Sequence, residues 1–523
     1  HRKLISVSEQ ETPRQHGLVF DAPIALKKLY AEEQKKSMQD QYKPQFNLEL
    51  SNALSKNILQ MAQGIGSRTI TNQEDFVIFS PLSIAAALAL LLLGSNGRTN
   101  DELLRLFGFN DNSIFRNNPL EIHDQFGLLI EDLLRNSQHP DRIRPVDKWK
   151  IKHEFQEEEL IKNLGKQHKI ELANGIFLQK GFSLKSTYKN SVESIYKGEI
   201  KPIDFHGNSE EARKIINEWA QKKTNGKIHE IISGGVPTRT NMILASALYF
   251  KGLWENAFIA DATSKRYFYP NGKKEPAILA DMMVTGGEFP YYDAEEYGCR
   301  IMGFPYKGNQ STMYVILPYD SNRQNLGRIQ QLLTADKIEE IISKMENTLS
   351  IVVMPKMHLE SSLNLKNILN QMGVHSLFNS KESDLSLITD GSSDQKEVIE
   401  ISRLQEEDRF TDHLIFSRFG DIDDYEDNSD SRRENYRVSR SRSPRSIRQN
   451  RNKIENLFVD DILHKADLSI NEAGTEGAAA TVSFISRHDV EVDFRVDGPF
   501  LMMIRHDATK LPLFYGSVFN PAT

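Results

Sequence analysis

The longest uninterrupted apolar run of this chain covers residues 84–93, between Ser83 and Gly94. Such a run is too short to cross a bilayer, whose core needs about 20 apolar residues in a helix, so it predicts a helix buried on all sides within a protein. Ser80 and Pro81 just before it have the residue types of an N-cap and a first helical turn, and Gly94 is typical of a helix end. A helix of this kind needs a large core around it, and 523 residues, 39% of them hydrophobic, can supply one.

Helical and extended patterns alternate along most of the chain. An amphipathic helix begins near Phe46, and residues 210–223 show a second helical pattern. Extended patterns cover residues 173–179, 242–250, 312–317 and 349–354. Interleaved helices with several strands in the middle and a cluster of strands at the end predict an α+β fold with large, mostly antiparallel sheets.

Three stretches depart from this pattern. Residues 1–44 are polar and aperiodic, which predicts an N-terminal extension to a single domain covering residues 45–523. Residues 113–168 are rich in charge and predict an enlarged helical connection. Residues 391–455 contain an acidic block (421–430, six acidic residues) and then an arginine block (432–451, eight arginines against one glutamate). Few apolar residues accompany these charges, so burial cannot offset the entropy of ordering, and we expect a disordered insertion.

Composition and motifs exclude several classes of protein. The net charge of -7 and pI near 6.1 give no reason to expect a nucleic-acid partner. No GxSxG, P-loop, GxGxxG or HExxH pattern is present, and a single cysteine, Cys299, cannot form an intramolecular disulfide or a cysteine-rich zinc site. We therefore expect no enzyme activity, no metal, no required cofactor and no membrane partner.

Residues 475–485 are unusual because they could fit between two strands that already exist. One alternating face carries only small or β-branched uncharged residues until its end, and the other carries a single charge, Glu476. No proline interrupts the segment, so every residue keeps a backbone donor for a ladder. From the residues alone, an ordinary terminal strand after a small-residue turn explains the pattern as well.

Several motifs, taken in order, resemble those of the serpin family. They are FSPLSI (79–84), NEW (217–219), KTNGKI (223–228), YFKGLW (249–254), PYKGN (305–309), DLS (384–386), ILHKA (462–466), NEAGTEGAAA (471–480) and GPF (498–500). The resemblance extends over roughly residues 45–523, apart from the enlarged connection and the insertion. It implies the serpin fold: three β-sheets with surrounding helices and an exposed reactive-centre loop.

The resemblance also assigns residues to three functional regions. The hinge, through which the loop enters the main sheet, is matched by Glu472, Gly474, Thr475, Glu476, Gly477, Ala478, Ala479 and Ala480. The shutter, a polar network that governs opening of that sheet, is matched by Ser80, Ser83, Ser246 and His464, with Ser246 where the family usually has asparagine. The breach, where the loop first enters, is matched by Trp254, Lys356 and Glu472, and a Lys356–Glu472 pair is expected to hold the sheet top closed.

The implied mechanism is that of a secreted, single-use inhibitor of trypsin-like serine proteases. The protease acylates itself on the loop, the loop inserts into the main sheet, and the acyl-enzyme is distorted before it can hydrolyse. The family's usual count from Glu472 places His488 before the scissile bond, and a count one residue shorter places Arg487 there. Arginine suits the acidic specificity pocket of trypsin-like proteases, which favours Arg487–His488 as the reactive bond. The alternative is a non-inhibitory serpin that acts as a binding or carrier protein.

Two further features concern glycans. Five basic residues lie where some serpins bind heparin-like polysaccharides, and they could hold a sulfated polysaccharide as an activator, although a solvated face is the commoner reading. They are Arg142, Arg144, Lys148, Lys150 and Lys152. Asn309 begins the sequon Asn309-Gln310-Ser311 and is the expected glycosylation site. The expected protein is therefore an extracellular monomeric glycoprotein that regulates a proteolytic cascade.

Overall fold

Residues 44–69, 74–135, 139–150, 168–392, 456–475 and 490–521 are described by the computed structural model of the chain. Their helices are α1 (Leu48–Thr69), α2 (Pro81–Gly94), α3 (Gly97–Leu106), α4 (Pro119–Leu134), α5 (Ser186–Tyr196), α6 (Ser209–Lys223), α7 (Arg323–Leu332), α8 (Ala335–Lys344) and α9 (Leu365–Gln371).

The strands of the described residues fall into three sheets. They are β1 (Phe76–Phe79), β2 (His168–Gln179), β3 (Phe182–Leu184), β4 (Glu199–Ile203), β5 (Met242–Leu253), β6 (Ser264–Phe268), β7 (Ile278–Ala294), β8 (Cys299–Pro305), β9 (Ser311–Pro318), β10 (Glu346–Pro355), β11 (Met357–Asn364), β12 (Thr389–Ser392), β13 (Asp461–Ile470), β14 (Gly474–Thr475), β15 (Val492–Arg495), β16 (Phe500–His506) and β17 (Leu511–Val518).

Helix α2 is buried along its whole length, as the apolar run predicts. Its N-cap is Ser80, whose hydroxyl accepts a hydrogen bond from the N–H of Ser83 at 3.2 Å, and Pro81 occupies the first turn. The C-cap is Ser95 rather than Gly94. Gly94 is needed for packing instead, since a Cβ there would lie 2.3 Å from Cγ1 of Ile388.

The six-stranded sheet lies against α2. Its strand order is β11-β13-β14-β5-β2-β4, and β13 also pairs directly with β5. Helix α2 contacts β2 and β5, and α6 contacts the same two strands through a separate apolar cluster that includes Trp219 and Ile216. Because residues on a strand alternate between its two faces, the sheet has one face toward α2 and the main core and the other toward α6.

The nine-stranded sheet has the order β1-β17-β16-β9-β8-β7-β10-β15, with β6 paired to β7. Strand β15, which follows residues 476–489, pairs in parallel with β10. A small two-stranded sheet joins β12 to β3. The described part of the chain is thus a mixture of helices and sheets, which confirms the predicted α+β fold.

The departures from the domain prediction lie at its boundaries. Residues 1–43 and 393–455 lie outside the described residues, so the extension and the insertion stay predictions. Residues 391 and 392, assigned to the insertion, end strand β12, and His168, assigned to the enlarged connection, begins strand β2. Within the described ranges, no helix combines the length and the apolar character that a membrane crossing needs.

Candidate functional site

The start of the hinge already lies inside the six-stranded sheet. Gly474 and Thr475 form β14, a two-residue strand that is antiparallel to both neighbours. Thr475 pairs with Ile470 of β13 on one side and with Gly252 of β5 on the other, and its side chain is fully buried. The first hinge residues are therefore held between the two central strands.

Below β14, the two central strands are in contact over a short distance. Strands β13 and β5 pair in parallel from Asp461–Ile243 to His464–Ser246, and no further rung joins them in the described sheet. Their facing edges over residues 465–469 and 247–251 therefore have no ladder between them. The sheet is closed at one end by its own strands and at the other end by the hinge.

One register relates all three strands. His464 pairs with Ser246, which is an offset of 464 − 246 = 218 residues between β13 and β5. The partners of Thr475 are Ile470 and Gly252, and 470 − 252 gives the same offset of 218. A strand continuing from β14 would therefore need β13 and β5 to move apart by about 4.7–4.9 Å, the strand spacing, without sliding past each other.

Gly474 is required by the close approach of β14 to β5. Its φ is +156°, and a Cβ built on it would lie 2.1 Å from the carbonyl oxygen of Gly252 and 2.7 Å from Cα of Leu253. Both are backbone atoms of the neighbouring strand, so no side chain can move to make room. The glycine in the hinge motif thus has a local steric reason.

Trp254 holds the turn that leads into the hinge. Its indole N–H donates to the carbonyl of Asn471 at 2.9 Å, and its backbone N–H donates to the carbonyl of Ala473 at 2.9 Å. The ring stacks on Tyr306 with centroids 4.5 Å apart, and the Tyr306 hydroxyl lies 2.8 Å from Oγ1 of Thr475. Both aromatic side chains are buried, so these hydrogen bonds form away from competing water.

Glu472 makes the ion pair expected of the breach and a second contact that was not expected. Its carboxylate lies 3.1 Å from Nζ of Lys356 and accepts a hydrogen bond from the hydroxyl of Thr263 at 2.7 Å. Burial alone would raise the pKa of Glu472, but Thr263 and Lys356 hold it below its ordinary value. Lys356 is half exposed, so the pair is screened by solvent and Thr263 is the better-shielded partner.

Three of the predicted shutter residues meet at His464. The N–H of Ser80 donates to Nε2 of His464 at 2.9 Å, and Nδ1 lies 3.1 Å from Oγ of Ser246. Since a backbone N–H can only donate, Nε2 must carry the lone pair, and the ring proton lies on Nδ1, which donates to Ser246. Full burial lowers the pKa of His464 to about 4, which favours this neutral form.

The shutter also includes a residue that the sequence did not single out. Asn174 of β2 pairs in register with Ser246, and with its amide nitrogen turned toward α2 it donates to the carbonyl of Ser83 at 3.2 Å. The hydroxyl of Ser83 has no hydrogen-bond partner among the described residues. An amide is thus present next to the position where serine replaces the family's usual asparagine.

The basic segment does not form the surface cluster that was expected for a glycan. Arg142 and Arg144 are buried and both bind the carboxylate of Asp132, at 2.6 Å each. Lys150 is buried against Asp507, and of the five bases the structure describes only Lys148 as exposed. The prediction is wrong for the three buried residues, because nothing in the local sequence shows that the carboxylates of Asp132 and Asp507 lie beside them inside the protein.

Two apolar side chains of the same segment are exposed. Ile143 is 70% exposed and Val146 is 53% exposed, whereas their basic neighbours are inside. Asn309 is exposed in the turn between β8 and β9 with a φ of 53°, so its side chain is accessible for the predicted glycosylation. Within the described ranges, no group of three His, Cys, Asp or Glu side chains could hold a metal ion.

Several predicted site residues lie outside the described residues. They are Glu476, Gly477, Ala478, Ala479 and Ala480 of the hinge, Arg487 and His488 of the reactive bond, and Lys152 of the basic segment. The residues that sequence reasoning missed are Tyr306, Thr263 and Asn174. The PYKGN motif contains Tyr306 and was a usable signal for it, whereas nothing in the local sequence distinguishes Thr263.

A gap between two central strands, entered at one end by a glycine-containing hinge and closed at the other end by a buried histidine network, matches a known family. The family model described as "Serpin (serine protease inhibitor)" matches residues 59–521. The chain therefore belongs to the serpin family.

Named relatives make the relationship more specific. The chain is 37% identical over 481 residues to "Serine protease inhibitor 28Dc" of Drosophila melanogaster, covering 91% of this chain and 81% of that protein. It is 28% identical to "Antithrombin-III" of Ovis aries over 86% of this chain and 77% of that protein. Among solved structures, thyroxine-binding globulin in complex with thyroxine aligns with a TM-score of 0.64 at 20% identity, over 90% of this chain and 99% of that chain, which shows a shared fold.

Proposed function

We propose that this serpin is a secreted suicide-substrate inhibitor of trypsin-like serine proteases. The observation that carries the proposal is the position of Gly474 and Thr475 between β13 and β5, above a stretch where those strands are not paired to each other. A segment that continues from Thr475 finds the facing edges of β13 and β5, between which no rung is present over residues 465–469 and 247–251, in the correct register. Insertion would form ladder hydrogen bonds on both sides of the incoming segment, which gives the reaction a driving force.

The register predicts where each inserting residue arrives. Extending β14 along its antiparallel partners places Thr481 opposite both His464 and Ser246. Thr481 must separate the His464–Ser246 pair, so opening of the shutter network would be the step that resists insertion. This supports a role for His464 in setting the rate at which the sheet opens.

Insertion would move an attached protease far from its starting point. The segment 475–485, at about 3.3 Å a residue, spans roughly 36 Å. A misplacement of about 1 Å in an active site can cost about 100-fold in rate. A protease acylated on the loop and dragged this distance would lose the geometry of its oxyanion hole, so hydrolysis of the acyl bond would stop.

Arginine chemistry supports Arg487–His488 as the reactive bond, with His488–Asp489 as the competing choice. An arginine before the scissile bond forms a bidentate ion pair in an acidic pocket, which a histidine cannot match. Mass spectrometry of the peptide released by trypsin tests this choice. Release of a C-terminal fragment that begins at His488 supports it, and a fragment that begins at Asp489 overturns it.

One experiment separates an inhibitor from a substrate or a carrier. The full chain is mixed with trypsin, and a complex that survives SDS is sought at the summed mass of the two proteins. Formation of that complex is expected. Cleavage of the chain without any complex would contradict inhibition and would favour the non-inhibitory alternative.

A binding or carrier role is the second candidate because thyroxine-binding globulin shares this fold. The small uncharged hinge residues favour inhibition over this alternative, since bulky or charged residues would obstruct insertion.

The proposal further includes an extracellular location, a monomeric state, glycosylation at Asn309 and regulation of a proteolytic cascade. A sulfated polysaccharide activator would have to use the arginine block (432–451) or exposed bases such as Lys148, since Arg142, Arg144 and Lys150 are buried.

A further inference from the structure

Lys150 is a fully buried cation at the end of the segment that precedes β2. Its Nζ forms an ion pair with Asp507, and both side chains are 2% exposed. Asp507 also accepts hydrogen bonds from the hydroxyls of Thr312 at 2.7 Å and Tyr314 at 2.8 Å. Burial lowers the pKa of Lys150. Apolar residues in place of a buried ion pair often give a protein that is at least as stable, so the pair with Asp507 does not by itself explain why a lysine lies here.

The second contact of Lys150 is with a turn. Nζ donates to the carbonyl oxygen of Asn309 at 3.1 Å. Asn309 has a φ of 53°, in the left-handed region that costs an L-residue energy, and it lies between β8 and β9 in a turn closed by the N–H of Tyr306 and the carbonyl of Ser311 at 3.0 Å. Asparagine adopts this region more readily than most residues, and the hydrogen bond from Lys150 anchors the turn to the buried ion pair with Asp507.

The turn leads directly to the hinge. Tyr306 begins it, and this ring stacks on Trp254 while its hydroxyl meets Thr475. The N–H of Lys307, also in the turn, donates to the carbonyl of Leu253 at 2.8 Å, next to Gly252, the β5 partner of Thr475. Lys150, the turn and Thr475 are thus joined by an unbroken series of hydrogen bonds and ring contacts.

We infer that Lys150 is a positioning residue for the hinge: by fixing the β8–β9 turn through Asn309, it holds the Tyr306 side chain that keeps Thr475 inside the sheet. This role presupposes the inhibitory function proposed above. A hinge that already lies in register between the strands has lost part of its conformational entropy before insertion begins. It therefore inserts faster than a hinge that must first find the gap. Loss of Lys150 would slow insertion relative to hydrolysis of the acyl-enzyme, and more inhibitor would be consumed as substrate.

The chain offers a matched control for this test. Arg144 lies in the same segment, is buried, and forms an ion pair with Asp132, but its other partner is Ser51 of α1 rather than the β8–β9 turn. Lys150→Met and Arg144→Met each remove a buried cation from a carboxylate. Both are expected to destabilise the protein, so only an effect on the hinge distinguishes them.

The decisive measurements are the stoichiometry of inhibition of trypsin and amide hydrogen exchange at residues 471–475. For Lys150→Met we expect the ratio of substrate turnover to trapping, which is the stoichiometry minus one, to rise by about two- to tenfold. This is the factor associated with loss of one neutral hydrogen bond such as that between Tyr306 and Thr475, and exchange at the hinge should accelerate. For Arg144→Met both readouts should match the wild type. Equal changes in the two variants, or no change in either, would overturn the inference.

Two further variants protect the test against a failure to fold. Lys150→Leu also removes the cation and leaves Asp507 its other partners, the hydroxyls of Thr312 and Tyr314 and the guanidinium of Arg505 at 3.5 Å, so it should reproduce the effect of Lys150→Met. Tyr306→Phe removes the hydroxyl that meets Thr475 and should raise the stoichiometry by itself. A wild-type chain that forms no SDS-stable complex refutes the proposed function, whereas a wild-type complex with an unchanged stoichiometry in these variants refutes the role of Lys150 alone.

Discussion

Nε2 of His464 accepts a hydrogen bond from the backbone N–H of Ser80, 384 residues away in the sequence. The contact joins the base of β13 to the N-terminus of α2, and it requires the imidazole to be neutral. A protonated ring would direct an N–H at another N–H, and the buried charge would have no compensating partner.

The stability of the protein should therefore fall with pH in a defined range. The folded pKa of His464 is about 4, below its ordinary value of 6.5, so the unfolded chain binds more protons between these values. The contribution of His464 is fully present above pH 6.5 and is lost as the pH falls toward 4, by about 3 kcal/mol in total. Urea unfolding at a series of pH values measures it.

Three other buried histidines require a comparison with variants. Burial also lowers the pKa of His123, His168 and His506, so the wild-type slope is a sum. In His464→Gln the free energy of unfolding should fall less between pH 6.5 and 4, and the difference from the wild type should equal the contribution of His464. Identical pH profiles for His464→Gln and the wild type would contradict the prediction.

Replacement of Gly474 by alanine should remove the hinge from the sheet. The added Cβ would lie 2.1 Å from the Gly252 oxygen, so β14 cannot keep its pairing with β5. We expect trypsin to cleave Gly474→Ala without being trapped, together with faster hydrogen exchange at residues 252–254. Gly235→Ala, at a position with open space around it, is the control. Normal trapping by Gly474→Ala would show that the hinge pairing is dispensable.

The two breach contacts should differ widely in strength. The Lys356–Glu472 pair is partly exposed, so Lys356→Ala should change the free energy of unfolding by about 1 kcal/mol or less. Trp254 is buried against Tyr306, Phe258 and Phe304, so Trp254→Ala should cost about 3–5 kcal/mol. Thermal and urea unfolding of both variants provide the test, and comparable losses would refute this ranking.

Lys251 should assist the first step of insertion. It faces Lys169 in register across β2 and β5, and Lys169 is neutralised by Glu171 at 2.8 Å. Extending β14 by one residue brings Glu476 opposite Lys251, where an opposite-charge pair contributes roughly 0.2–1 kcal/mol. Lys251→Glu should raise the stoichiometry of inhibition, and adding Glu476→Lys should restore it. Absence of this rescue would contradict the register.

Much of the fold could be read from local patterns. The apolar run predicted helix α2 with its first residue correct, and the 210–223 pattern matches α6 within one residue at its start. Strand β2 is longer than predicted, because it begins at His168 rather than 173: the polar Lys169 and Glu171 interrupt the apolar pattern, yet their backbones pair with β5. Local periodicity cannot detect pairing that a distant strand supplies.

The resemblance to the serpin family placed Gly474 in the hinge and His464 in the shutter. The structure gives each a physical reason, since the close approach of β14 to β5 needs glycine and the N–H of Ser80 needs a neutral ring as its acceptor. Lys150 was misread as a surface base because its partners, Asp507 and Asn309, lie far along the chain. A lysine looks solvated unless the sequence reveals the carboxylate that it meets inside the protein.

The gap between β13 and β5 is open to more than one chain. Any second copy carries the same 475–485 segment, and the facing edges of β13 and β5 match its register as well as they match their own hinge. A contact in which one molecule's loop enters its neighbour's sheet is head-to-tail, so each new member exposes another empty sheet and the assembly grows instead of closing. Protein concentration and storage time would then deplete the active inhibitor even where no protease is present.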